Sequence, residues 1–290
     1  MSGAPAALAA SLLWGTADFM AGRASRRHPT VLVALVGQAA GLLVLAAILA
    51  VRGADADALP GGLFAGAVGV GAVLAFYGAL GRGTMSVVAP IGATSALVPL
   101  AYGIVQGDRP GALQWVGVAA ALAGAVLASR EPDTTAVGVP AGPAGPAGAR
   151  HEVTVHDQRA AVRLAVLAAL LIGLTLIGLD KAAEHDALTG VGAARLVAVP
   201  VLGLVALRAR ATAPARALPQ LAVIGLLDTA ANSAFALATT TGLLSLVAVL
   251  GGLFPVVTVA LAYFLLHERL EPLQRAGVVL ALAGVPLISA

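Results

Sequence analysis

The sequence predicts an all-α integral membrane protein with ten transmembrane helices, arranged as two inverted five-helix repeats. Three observations carry the prediction. The 290 residues are 59% hydrophobic and only 11% charged, with a mean hydropathy of +0.96, a balance that no water-soluble core requires. Ten apolar segments approach the roughly 20 residues that a spanning helix needs. The end of the first half is repeated at the end of the second.

Taken in order, the segments fall near residues 4–22, 30–51, 61–80, 86–105 and 112–129, then 161–180, 187–207, 217–238, 243–266 and 273–289. Short polar or glycine-rich breaks separate them within each half. Between the halves, residues 130–160 (REPDTTAVGVPAGPAGPAGARHEVTVHDQRA) combine proline, glycine and charge, the composition of a flexible linker. The expected organisation is therefore a repeat over 1–129, a linker over 130–160 and a second repeat over 161–290. The first apolar segment lacks a basic leader and runs on into further spans, so a cleavable signal peptide is not expected.

The duplication is explicit at an offset of 160. Residues 108–129 (DRPGALQWVGVAAALAGAVLAS) and 268–289 (ERLEPLQRAGVVLALAGVPLIS) share 11 of 22 positions without a gap, among them Arg109/Arg269, Gln114/Gln274, Gly117/Gly277, Gly124/Gly284 and Ser129/Ser289. Shared Ala, Leu and Val bias would not align a glutamine, an arginine, a serine and two glycines. A weaker echo at offset 159 aligns Ser86-Val87-Val88-Ala89 with Ser245-Leu246-Val247-Ala248 and Thr16 with Thr175. Five spans is an odd number, so the second copy enters the membrane from the opposite side. That inverted architecture permits alternating access to a central site.

Several segments resemble the EamA-type transporters of the drug/metabolite transporter superfamily. They are SLLWGTADFMAG in the first helix, SVVAPIGATSALVPLAYGIVQGDRP in the fourth, and SLVAVLGGLFPVVTVALAYFLLHERLEPLQRAGVVLALAGVPLIS at the end. The resemblance spans the chain except the linker. It implies ten helices around a central cavity and the export or exchange of small organic metabolites, such as amino-acid-like solutes, or of drugs. Substrate identity lies beyond it.

Ionisable groups at membrane depth cost at least ~2.5–3.5 kcal/mol each, so each calls for a partner, a wet cavity or a function. Asp18, with Trp14 one turn earlier, shares a face with Ser11, Gly15 and Gly22. It is a candidate for binding a cationic group or exchanging a proton, with Trp14 stacking on the substrate; the alternative is an interfacial residue close to Arg23. Arg195 and Asp228 fall mid-helix in the seventh and eighth segments, where they can pair, with Asn232 extending the polar face of Asp228. Such a pair reads either as a structural brace or as a binder of zwitterions. Tyr77, Tyr102 and Tyr263 read as cavity hydroxyls or interfacial anchors. Pro90, Pro99 and Pro255, inside the fourth and ninth segments, are hinge or packing-kink candidates. The repeated Asp108-Arg109 and Glu268-Arg269 turns read as helix-turn elements, and Gly62, Gly66, Gly117 and Gly124 as close-packing positions.

Other classes find little support. The 35 glycines are accompanied by no cysteine, which removes disulfides and thiolate metal sites. His28, His151, His156, His185 and His267 show no ligand spacing, so no metal and no cofactor is expected, and no HExxH, GxSxG or phosphate loop occurs. Basic residues lie singly or in short groups between apolar runs, which argues against nucleic acid as a partner. The expected partners are a small-molecule substrate, the bilayer and, as a coupling ion, protons. A membrane-embedded enzyme and a non-transporting scaffold are the competing classes. Counted loop by loop, 13 basic residues gather on one side and three (Arg52, Arg109 and Lys181) on the other. The positive-inside rule thus puts both termini outside and the linker in the cytoplasm. The resemblance implies the reverse.

Overall fold

The computed structural model describes residues 3–80, 91–129, 155–266 and 270–290; for residues 77, 80, 155–158 and 266 it describes the backbone alone. The first half comprises α1 (Ala4–Ser25), α2 (Thr30–Arg52), a 3-10 turn at Ala56–Ala58, α3 (Leu59–Leu80), a second 3-10 turn at Thr94–Ala96, α4 (Leu97–Gln106) and α5 (Ala112–Ala128). The second comprises α6 (Val155–Ala183), α7 (Ala187–Arg208), α8 (Leu218–Thr239), α9 (Leu244–Gly251), α10 (Phe254–Leu266) and α11 (Pro272–Ser289). The described residues contain no strand.

Seven stretches of helix are long and apolar enough to cross a bilayer, from Thr30–Arg52 to Pro272–Ser289, while Ile91–Gln106 and Ala112–Ala128 are apolar but shorter. Helix α1 falls outside that set although it has 22 residues. Trp14, Thr16 and Asp18 dilute its hydropathy, the property that made it conspicuous in the sequence.

Helix ends follow local chemistry. Helix α2 stops at Gly53, whose φ of +92° suits a residue without a Cβ, and α4 stops at Gly107 with φ +114°. Asp186 caps α7 by accepting the Thr189 N–H at 2.7 Å. At the start of α5, Gln114 Oε1 accepts the Gly111 N–H at 2.9 Å; at the start of α11, Gln274 Oε1 accepts the Glu271 N–H at 3.0 Å. The glutamine repeated at offset 160 therefore opens the same kind of helix twice. Thr16 and Thr175, matched at offset 159, each donate to the carbonyl four residues back, at 2.7 and 2.9 Å.

Two of the expected helices take a different form. The ninth segment, read as continuous over 243–266, is broken between Gly251 and Phe254. Proline 255 thus occupies the first turn of α10 instead of a helix interior, where its ring would crowd the carbonyl of Gly251. Pro99 sits near the start of α4, directly after the 3-10 turn. The chain changes helix type where that proline removes a donor. Pro90 lies outside the described residues.

Packing relies on small residues, as membrane helices require. Helices α5 and α11 cross through reciprocal contacts. A Cβ at Gly117 would meet the backbone of Gly284 and Ile288, and one at Gly277 that of Gly124 and Ala128. Each contact is the other's counterpart at offset 160. Helix α3 presses Gly61 against Gly178 and Ala182 of α6, and Gly62 and Gly66 against Gly190 and Ala194 of α7. Every residue of α9 is buried, so this short helix lies at the heart of the molecule.

Candidate functional site

The site grows from the packing of α1 on α8. Gly3 lies against Ala238 and Gly242, Trp14 against Phe235, and Asp18 within electrostatic reach of Asp228. Rising numbers on one helix meet falling numbers on the other, so the two run antiparallel. Their facing residues form a ladder. On α8, Asp228, Asn232 and Phe235 are spaced four and three residues apart and share one face.

Arg195 projects from α7 beneath this ladder. Its Nη2 donates to Asp228 Oδ2 at 2.9 Å, and its Nε and Nη2 each approach Thr229 Oγ1 at 3.3 Å. Thr229 in turn donates to the Gly225 carbonyl at 2.7 Å, which leaves its oxygen lone pairs for the guanidinium. Helix α2 closes the far side. Gly37 meets Gly225 backbone to backbone, and Gly41 lies directly over Thr229 and Arg195, where a Cβ would collide with the Thr229 hydroxyl. Arg195 is only 5% exposed, while the Asp228 side chain keeps 32% of its surface open. The cation is thus sealed and committed. Its carboxylate partner has one side free.

Asp18 has an accessible side chain, within electrostatic reach of the Asp228 carboxylate on α8. The polar face of α1 opens along its length: Ser11 and Gly15 are buried, Asp18 and Gly22 exposed. Beyond its chain neighbours and the adjoining backbone of α1, no described atom lies within 4 Å of where a Gly22 Cβ would stand. No ion pair joins Asp18 to Arg23, whose guanidinium lies 5.9 Å over the Phe19 ring. Trp14 is half-buried, tilted on Phe235 with centroids 5.7 Å apart and edge-on to Phe254 at 6.5 Å.

The structure therefore brings together Trp14, Asp18, Arg195 and Asp228. Asn232 is adjacent, but its amide donates to the Asp228 backbone carbonyl at 2.7 Å, not to the carboxylate. The Tyr77 side chain lies outside the described residues. Tyr263 is largely exposed beside Phe264, and Tyr102 accepts a hydrogen bond from Gln106, so neither joins the ladder. Sequence reasoning missed Thr229, Phe235 and Gly41. The i, i+4 glycines of α2 were the available signal for the last. Gln38, between those glycines in sequence, keeps a buried and unpartnered Oε1 among the described residues.

A second polar cluster gathers at the end of the bundle where α1 begins, and most of its contacts join the two halves. Arg52 Nη2 pairs with Asp186 Oδ1 at 2.6 Å, and the Asp55 N–H donates to Thr189 Oγ1 at 3.2 Å. Asp108 Oδ2 accepts the Ser245 N–H at 2.8 Å at the start of α9, and Lys181 Nζ lies 5.7 Å from the centre of the Tyr102 ring. Burial alone would raise the Asp186 carboxyl, but the hydrogen bonds from Arg52 and Thr189 outweigh it and hold the group below the ordinary aspartate value. A surface cleft of about 440 Å³ lies beside this pair, lined in part by Arg52, Asp55, His185 and Asp186. It is remote in sequence and chemistry from Asp18. Arg109 donates to the Ile104 and Asp108 carbonyls, which gives the Asp108-Arg109 turn its helix-ending function. No group of three potential metal ligands occurs among the described residues.

Described residues that are helical and apolar, with seven helices long enough to cross a bilayer, define a polytopic membrane protein. The sequence model of the EamA-like transporter family matches residues 1–130 and again 159–290, and the chain belongs to that family of the drug/metabolite transporters. Its members move small solutes across membranes, and this chain is accordingly a multi-pass integral membrane protein. A search of curated proteins returned no match. Among solved structures, one described only as the crystal structure of a protein aligns with 99% of this chain and 97% of its own, with TM-score 0.77 and 17% identity. That likeness concerns the fold.

Proposed function

We propose that the protein is a secondary transporter that exports a small organic solute by alternating access, built from ten membrane segments in two inverted five-helix repeats. The observation that carries this is the pairing of an opening with a closure. The polar face of α1 is open at Asp18 and Gly22, while the opposite end of the bundle is bridged between the halves by Arg52 to Asp186, Asp55 to Thr189 and Asp108 to Ser245. Such an arrangement is one of the two states that alternating access requires. The reciprocal contacts of α5 and α11 support a local two-fold relation between the repeats. Solute enters between α1 and α8, meets Trp14, Asp18 and Asp228, and leaves when the bridged end parts. Pro99 beside its 3-10 turn and Pro255 at the α9–α10 break are the natural hinges, because backbone hydrogen bonds are already interrupted there. Protons are the coupling ion that best fits, since Asp18 has no described ion-pair partner.

The chain has no cysteine, so single cysteines report without background. Ser245→Cys places a thiol where the side chain is fully buried under the Asp108 bridge, and Gly22→Cys places one at the open end. In proteoliposomes, a membrane-impermeant maleimide is expected to label position 22 from one side and position 245, more slowly, from the other. Persistent protection of position 245 while position 22 reacts would eliminate alternating access and leave a static scaffold.

A further inference from the structure

The chemistry of the solute follows from the charges and rings of the same site, and rests on its being the transport site. Two carboxylates, Asp18 and Asp228, lie within electrostatic reach of each other, and one guanidinium, Arg195, is paired to the second. One negative charge is left over. The next cation along α1, Arg23, is stacked on Phe19, and no described side chain forms an ion pair with Asp18. An anionic solute would face that surplus with no free cation to bind it, because Arg195 is sealed beneath Gly41 and spent on Asp228 and Thr229. A zwitterion has the same difficulty at its carboxylate. A bare metal ion would require more oxygen ligands than the described residues bring together.

Beside the surplus charge stands an aromatic wall. Trp14 is one turn from Asp18, half-open, and backed by Phe235 and Phe254. Aromatic faces next to an uncompensated carboxylate are the combination that recognises an alkylated or protonated nitrogen, through the ring quadrupole and the charge together. We propose that the face formed by Trp14, Asp18 and Asp228 binds a monovalent organic cation, an amine or quaternary ammonium with an aromatic or other apolar body. The charged nitrogen sits against Asp18 and the body against the open side of Trp14, whose ring the fully buried Phe235 supports from behind.

The chain has two tryptophans, so Trp115→Phe leaves Trp14 as the sole indole. Full-length protein in detergent is titrated with benzyltrimethylammonium, with phenylacetate and benzyl alcohol as anionic and neutral comparators, and Trp14 emission is followed. The cation is expected to give a saturable change, with at least tenfold weaker binding of both comparators. Asp18→Asn is expected to weaken the cation at least tenfold and Asp18→Glu to retain most of it. Trp14→Leu, read by calorimetry, tests the wall with Asp18 intact and is expected to weaken the cation severalfold. Equal binding of phenylacetate, or unchanged cation binding in Asp18→Asn and Trp14→Leu, would overturn the assignment. Binding needs no turnover, so it is independent of the labelling at position 245. Labelling without cation binding removes the substrate class and leaves transport; binding without labelling does the opposite.

Discussion

Replacement of Asp228 provides the most direct measure of what the membrane-depth pair contributes. Arg195 makes one charge-assisted bond to Asp228 at 2.9 Å and two longer contacts to Thr229 at 3.3 Å. In Asp228→Ala the guanidinium keeps the threonine but loses its counter-charge while 95% buried. Removing one partner of a buried pair costs roughly 3–5 kcal/mol. The 32% exposure of Asp228 admits some solvent to the gap and places the loss near the lower end, at about 3 kcal/mol. Asp228→Asn retains an acceptor for Nη2 and should lose about 2 kcal/mol, since a hydrogen bond remains and only the charge has gone. Arg195→Leu/Asp228→Leu removes both charges together and should lie within about 1 kcal/mol of the parent. The assay is reversible denaturation in mixed micelles; the parent, Arg195→Leu, Asp228→Leu and the double variant form a double-mutant cycle, with Asp228→Ala and Asp228→Asn measured alongside. A loss below about 1 kcal/mol in Asp228→Ala would refute the view that Arg195 depends on this carboxylate.

Three further outcomes follow from the same contacts. Gly41→Ala puts a methyl group into the Thr229 hydroxyl and should cost about 2 kcal/mol by overpacking, whereas the same change at Gly53, where nothing lies within 4 Å, acts only through its positive φ; denaturation of the two variants separates the effects. Because the Asp186 carboxyl is held below its ordinary value, the stability it contributes is complete above about pH 4 and is lost as pH falls through the folded value. Arg52 is 45% exposed, so the loss is small, and Asp186→Asn should remove that acid step from a plot of stability against pH. On the charge count, a C-terminal reporter active only in the cytoplasm should be silent and its periplasmic counterpart active; the reverse outcome would give the chain the orientation that the family resemblance implies.

Hydropathy placed most of the described helical segments, because backbone groups in lipid have few alternatives to helix; seven of them are long and apolar enough to span a bilayer. Their internal breaks were less legible. The interruption between Gly251 and Phe254 was signalled only by Gly251, Gly252 and Pro255, which mark a kink or hinge without saying that the helix stops there. Asp18, Arg195 and Asp228 stood out by cost, as charges in apolar surroundings. Thr229 and Phe235 did not, because a threonine or a phenylalanine inside a membrane helix is unremarkable until its neighbours are known. The bridges at Asp108 and Asp186 were equally hidden. Each links residues more than 130 positions apart, a separation at which local pattern carries no information.

The difference between the halves has a steric origin. At offset 159, Trp14 corresponds to Gly173 and Asp18 to Ile177. The structure shows why the first of these is a glycine: a Cβ at Gly173 would stand 2.8 Å from the Ser95 carbonyl and against the side chain of Val98. In the second repeat this position is consumed by packing against the start of α4, and an indole has nowhere to go. In the first repeat the corresponding turn of α1 faces Phe235 and Phe254 across enough space to hold Trp14, and one turn on, Asp18 is exposed, within electrostatic reach of Asp228. Thr16 and Thr175 keep the same back-bonded geometry in both copies, so the backbone has been retained while the faces diverged. One repeat thereby supplies rigid contact and the other an open polar face. In the site proposed above, selectivity comes from α1 of the first half and α8 of the second.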